Sequence, residues 1–130
     1  MKYLLDTHTF LWSIFESHKL SKTARQILLD PSCRKYICAS SMWEISIKNR
    51  INRKSKLPLP NGVAGVFDEI NANGYGYVGI NRQCIEVYNK LPLIHGDPFD
   101  GILIAAALVG DMTLVTADEE IQKYDVKWTW

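Results

Sequence analysis

Apolar and polar positions fall in blocks along this chain, and the blocks alternate between two periods. Tyr3-Leu4-Leu5 is a short apolar run that stops at Asp6. After it, Phe10-Leu11-Trp12-Ser13-Ile14-Phe15 carries a helical pattern. This predicts a buried strand, a tight turn over 6–9 and a helix. A strand apolar on both faces belongs at the centre of a parallel sheet covered on both sides. Ser21 opens a helix over 22–30 that Pro31 ends. Residues 35–39 read as a second strand, and a helix begins at Ser40-Ser41. A helix over 63–72 stops at Asn73-Gly74, residues 75–80 pattern as a strand, and 82–90 is an amphipathic helix ended near Pro92. Asp97 and Pro98 have the chemistry of an N-cap and a first helical residue. Behind them Ile102-Leu103-Ile104-Ala105-Ala106-Ala107-Leu108 is apolar on almost every face, so this helix is expected in the middle of the molecule. A short strand over 113–116, a brief helix over 121–124 and a last strand over 126–130 complete the order. Strands alternating with helices predict an α/β fold, a three-layer α/β/α arrangement with a central, mostly parallel sheet, in one domain spanning residues 1–130.

Bulk composition narrows this picture without choosing a function. At 130 residues the chain is long enough to bury roughly 70% of its unfolded surface. Its net charge of +1 supplies no global field for nucleic acid or membrane, so any basic footprint is local. Cys33, Cys38 and Cys84 lack CxxC spacing and are expected as buried thiols in a reducing cytoplasm, neither a disulfide frame nor a zinc site. Asp6 and His8 interrupt the first apolar residues, so no signal peptide is expected, and no apolar run approaches the ~20 residues of a membrane span. Gly74-Tyr75-Gly76-Tyr77-Val78-Gly79 spells G-x-G-x-x-G. It follows a helix and has a strand-like body, whereas a dinucleotide fingerprint follows a strand and opens a helix, so that reading is rejected.

The chemistry lies in the acids. Asp97 serves as a cap, which leaves Asp100 as a second carboxylate on the first turn of an apolar helix, either complementing the helix dipole toward solvent or meeting other acids. Asp6 and Asp118 follow the carboxyl ends of predicted strands, where open α/β sheets place their ligands. Glu44 has two readings of equal weight: with Ser41 it matches capping-box spacing, and it also stands where a ligand would. Strand carboxyl ends and the amino ends of the adjoining helices share one edge of a parallel sheet, so Asp6, Glu44, Asp100 and Asp118 can point into one crevice. Carboxylates that close repel unless a cation holds them. An oxygen-only set selects a hard ion, Mg²⁺ with Mn²⁺ as substitute, and such a site suits metal-activated attack of water on a phosphodiester. Lys48, Arg50, Arg53, Lys54 and Lys56 form a basic stretch that is either a solvated helix end or a grip on nucleic-acid phosphates.

Four blocks together resemble a known family. Leu4-Leu5-Asp6-Thr7-His8, Trp43-Glu44-Ile45-Ser46-Ile47-Lys48, His95-Gly96-Asp97-Pro98-Phe99-Asp100 and Leu114-Val115-Thr116-Ala117-Asp118 are similar, in order, to the blocks of PIN-domain proteins, and more narrowly of VapC-type toxins from bacterial toxin–antitoxin pairs. The resemblance covers nearly the whole chain. It implies a Mg²⁺-dependent endoribonuclease whose metal site is Asp6, Glu44, Asp100 and Asp118, with RNA as substrate, a cognate antitoxin whose tail fills the groove, and a second copy of the chain as partners. Asp97 is assigned to capping or to support from outside the metal site. Gly101 stands where the family usually has Arg, which implies a site without a nearby cation.

Other readings stay open on the residues alone. A structure-specific DNA nuclease could use the same acids, and a non-catalytic RNA- or partner-binding module would keep the surface without the chemistry. A phosphatase with Asp6 as nucleophile would want an acid two residues on, where His8 stands.

Overall fold

The computed structural model describes residues 1–51 and 59–130. In chain order the elements are β1 (Lys2–Leu5), α1 (Thr7–Phe15), a 3-10 turn (Ser17–Lys19), α2 (Lys22–Leu29), β2 (Arg34–Cys38), α3 (Ala39–Ile51), α4 (Gly62–Ala72), β3 (Gly76–Val78), α5 (Arg82–Lys90), α6 (Pro98–Gly110), β4 (Thr113–Val115), α7 (Glu119–Gln122) and β5 (Trp128–Thr129). Among the described residues, five strands form one sheet in the order β3-β2-β1-β4-β5, with every pairing parallel. The expected mostly parallel sheet is therefore parallel throughout, with β1 at its centre as its two-sided apolarity requires.

Strand periodicity divides the core into two layers. Tyr3, Leu5, Ile37 and Val115 pack with Phe10, Ile27, Ile45 and Ile70 of α1 to α4 on one face. Leu4, Cys38 and Leu114 pack with Cys84, Leu103, Ile104, Ile121 and Tyr124 on the other, under α5 to α7. Neighbouring residues such as Leu4 and Leu5 thus serve opposite layers. Helix α6 is buried from Leu103 to Ala107, but Leu108 is exposed, so one flank reaches the surface. Cys38 and Cys84 are buried and Cys33 is half-buried, correcting the expectation for the third, and all three are free thiols. No described helix is long and apolar enough to cross a membrane.

Local chemistry sets the boundaries that matter here. Asp6 caps α1, its Oδ1 accepting the Thr9 N–H at 2.7 Å, and the helix starts at Thr7 with no intervening turn. Ser21 caps α2 through the Ala24 N–H, and Asp97 caps α6 through the N–H groups of Phe99 and Asp100. Gly74 takes a φ of +69° just past α4, a conformation that suits glycine. The G-x-G-x-x-G segment follows α4 and runs into β3, so it opens no helix.

Candidate active site

Sheet register determines which acid meets which partner. Leu5 of β1 stands opposite Val115 of β4, so the residues one step beyond, Asp6 and Thr116, leave the sheet side by side. Thr116, fully buried, donates its hydroxyl to Asp6 Oδ2 and accepts the Asp118 N–H at 3.0 Å. One threonine therefore joins two of the acids. On the other side of Asp6, Thr7 donates its hydroxyl to Glu44 Oε1 at 2.7 Å and lies 2.9 Å from Ser41 Oγ. The chain of contacts Glu44–Thr7–Asp6–Thr116–Asp118 runs along the carboxyl edge of the sheet. Because α6 leads into β4 it runs antiparallel to the strands, which brings its first turn and Asp100 to that same edge.

The capping-box reading of Glu44 fails. Helix α3 starts at Ala39, directly off β2, so Ser41 and Glu44 lie inside the helix rather than at its N-cap and third position. Glu44 is 9% exposed and instead holds Thr7 and, through Oε2, the Lys48 ammonium at 3.0 Å. Lys48, expected as a phosphate contact, is thus drawn to the acids one helical turn away. Arg50 is exposed near the end of α3, while Arg53, Lys54 and Lys56 lie outside the described residues.

Electrostatics mark Asp6 and Asp100 as carboxylates under pressure. Burial pushes the Asp6 carboxyl up, against the hydrogen bonds from Thr116 and Thr9 that favour its charged form. Asp100 is raised to about 6, chiefly by burial; the negative charges of Asp97 and Asp118 add to this, and the hydrogen bond to His95 opposes it. His95 Nε2 lies 3.0 Å from Asp100 Oδ2, and its Nδ1 lies 2.7 Å from Tyr124 Oη. The expectation of a site without a cation is corrected: the Lys48 ammonium sits on Glu44. Gly101 is occupied differently from an Arg position, since a Cβ there would fall 2.5 Å from Tyr88 Cε2.

Thr7, Ser41, Thr116, His95 and Tyr124 escaped the sequence reading as site components. The signal for the threonines was their place beside acids at strand ends; nothing local announced Tyr124, which arrives from the far side of β4. Trp43, 63% exposed, packs edge-on against Phe99 with ring centroids 5.3 Å apart, and each ring directly precedes an acid of the site. That pair forms an apolar rim beside the carboxylates.

The donor chemistry fits a hard divalent cation: the carboxylates are oxygen donors, two have their charged forms disfavoured by their surroundings, and each retains lone pairs beyond the hydrogen bonds it accepts. As the side chains stand, no three His, Cys, Asp or Glu groups among the described residues close to metal-holding distance. The arrangement is one of linked neighbours, which an ion would have to gather.

A PIN domain family model matches residues 3–127. No curated protein sequence matches the chain. Among solved structures, VapBC2 from Rickettsia felis, bound to a DNA fragment from its promoter, is similar with a TM-score of 0.74 at 21% identity, covering 100% of this chain and 99% of that one. DNA-bound VapBC from Salmonella typhimurium gives 0.71 at 17% identity over 99% and 97%. A toxin–antitoxin complex from Klebsiella pneumoniae gives 0.63 at 14% identity over 98% and 96%.

Proposed function

The chain belongs to the PIN domain family, and from that premise we propose that it is a Mg²⁺-dependent endoribonuclease, the toxin of a toxin–antitoxin pair. The observation that carries the reading is the run of acids along one sheet edge, Glu44, Asp6 and Asp118 strung together by Thr7 and Thr116, with Asp100 on the first turn of α6 at the same edge. Asp6, Asp100, Asp118 and Glu44 would hold the ion, with Mn²⁺ able to substitute. Bound there, it supplies Lewis-acid activation of water for attack on a phosphodiester. The chain's own part is to fix the oxygens: Thr116 orients Asp6 and the backbone before Asp118, while Thr7 and Lys48 orient Glu44. The exposed ring of Trp43, backed by Phe99, offers a face on which an unpaired base stacks, which favours a single-stranded substrate over a duplex. Lys48, Arg50, Arg53 and Lys54 would contact phosphates of the substrate. The toxin reading and the antitoxin partner draw on the likeness to VapBC and toxin–antitoxin structures.

Matched RNA and DNA oligomers of one sequence, single-stranded and duplex, incubated with Mg²⁺ or with chelator, test the reading. Cleavage of single-stranded RNA that needs the ion is expected. Equal or preferential cutting of DNA would replace the substrate, and binding without cutting would leave a non-catalytic module.

A further inference from the structure

His95 is placed by more contacts than a surface loop residue needs. Its Nε2 meets Asp100 Oδ2 at 3.0 Å, its Nδ1 meets Tyr124 Oη at 2.7 Å, and its backbone N–H points to the same phenol oxygen at 3.4 Å. The two rings also pack edge to face, with centroids 5.4 Å apart. Tyr124 is 6% exposed and anchored in the core layer under α6, so the phenol is a fixed point. His95 itself borders an open cavity of about 270 Å³ shared with Tyr88, Leu91 and Gly101. Packing alone does not hold its ring, and the two polar contacts do.

We infer that His95, locked by Tyr124, is a positioning residue that holds one oxygen of Asp100 so that the other is presented to the metal. The arrangement that serves all three contacts has the phenol donating its proton to Nδ1 while its oxygen accepts the His95 backbone N–H. That tautomer carries its hydrogen on Nε2 and donates to Asp100 Oδ2. Among the described residues Asp100 Oδ1 receives no protein hydrogen bond and remains available as a ligand. Partners outside the ligand set that fix a ligand's orientation are a general feature of metal sites. Here the usual order is reversed, with the carboxylate as ligand and the histidine as its support. Gly101 contributes by omission: it leaves room for the Tyr88 ring and sends no side chain of its own toward Asp100.

The inference rests on the metal-site reading above, and two measurements separate the two. Long-range ¹H–¹⁵N spectra of the metal-free protein report the His95 tautomer directly. Hydrogen on Nε2 is expected, and hydrogen on Nδ1 would overturn the chain. Calorimetric titration with Mn²⁺ then compares the wild type with His95→Ala, His95→Gln and Tyr124→Phe, all checked for unchanged melting. His95→Ala should weaken Mn²⁺ binding about 10–100-fold, and His95→Gln, whose amide can still donate to Asp100, should recover most of that loss. Tyr124→Phe should fall between them. Wild-type Mn²⁺ affinity in His95→Ala overturns the inference alone. Failure of the wild type to bind Mn²⁺ overturns the metal-site reading and this inference with it.

Discussion

Asp100 should weaken the fold that holds it. Its carboxyl is held near 6 where an unfolded chain would have it near 3.8, so between those values the native state binds more protons than the unfolded state. Stability contributed at this position therefore falls as pH rises from about 4 to about 6 and stays low above that. Undiminished, that gap is worth about 3 kcal/mol, and solvent screening at a partly open carboxylate reduces it to about 1 kcal/mol. Asp100→Asn removes the charge and keeps the shape. At pH 8 without divalent metal the variant should be more stable than wild type by about 1 kcal/mol, or about 4 °C in melting temperature for a chain of this size. At pH 4 the difference should vanish. Added Mg²⁺ should raise the wild-type melting temperature and move the variant far less, since a ligand stabilises only the state that binds it. Urea titrations at both pH values, with and without Mg²⁺, measure all of this. A variant less stable than wild type at pH 8, or a gap independent of pH, would refute the claim that burial of the Asp100 carboxylate outweighs the hydrogen bond it receives from His95.

Three further outcomes follow from the hydrogen bonds and the packing. Thr116→Val keeps the buried shape but deprives Asp6 of its hydroxyl donor and should cost about 1–3 kcal/mol in chemical denaturation, with cleavage lowered as well; an unchanged midpoint would mean the contact is idle. Glu44→Gln keeps the acceptor for Thr7 and loses only an ion pair whose Lys48 end is half-exposed, so stability should shift by less than about 1 kcal/mol while cleavage is largely lost; retained activity would remove Glu44 from the site. Gly101→Ala should be close to neutral in the wild type, because the new methyl displaces Tyr88, yet stabilise a Tyr88→Ala background by about 0.5–1 kcal/mol through helix propensity. An equal effect in both backgrounds would exclude the steric conflict.

The fold was legible because its signals are local and mutually consistent. The two-sided apolarity of Tyr3-Leu4-Leu5 gave the central strand, and Ser21, Asp97 and Pro98 gave helix starts through hydrogen bonds within three residues. Glu44 shows where local reasoning stops. Capping-box spacing was present, but β2 passes straight into α3, and the helix had already begun two residues before Ser41. The acids could be assigned to one edge from topology, since the end of a strand and the start of a helix are both readable. Their linkage could not. The bond between Thr116 and Asp6 spans 110 residues and depends on strand register, and the approach of Tyr124 to His95 depends on how the chain folds past β4. Lys48 was legible as a cation near a helix end, but its choice of Glu44 over solvent needed the helix to start where it does.

The central claim is that Asp6, Glu44, Asp100 and Asp118 act as one metal-holding unit, and single-turnover cleavage of total RNA in Mg²⁺ tests it most directly. Wild type should cut, and chelator should stop it. Asp6→Asn and Asp100→Asn should each lower the rate by roughly a hundredfold or more, and the double variant should be little slower than either, because residues that serve one ion do not lose activity additively. Near-wild-type cleavage by Asp100→Asn, or losses that multiply in the double variant, would contradict it.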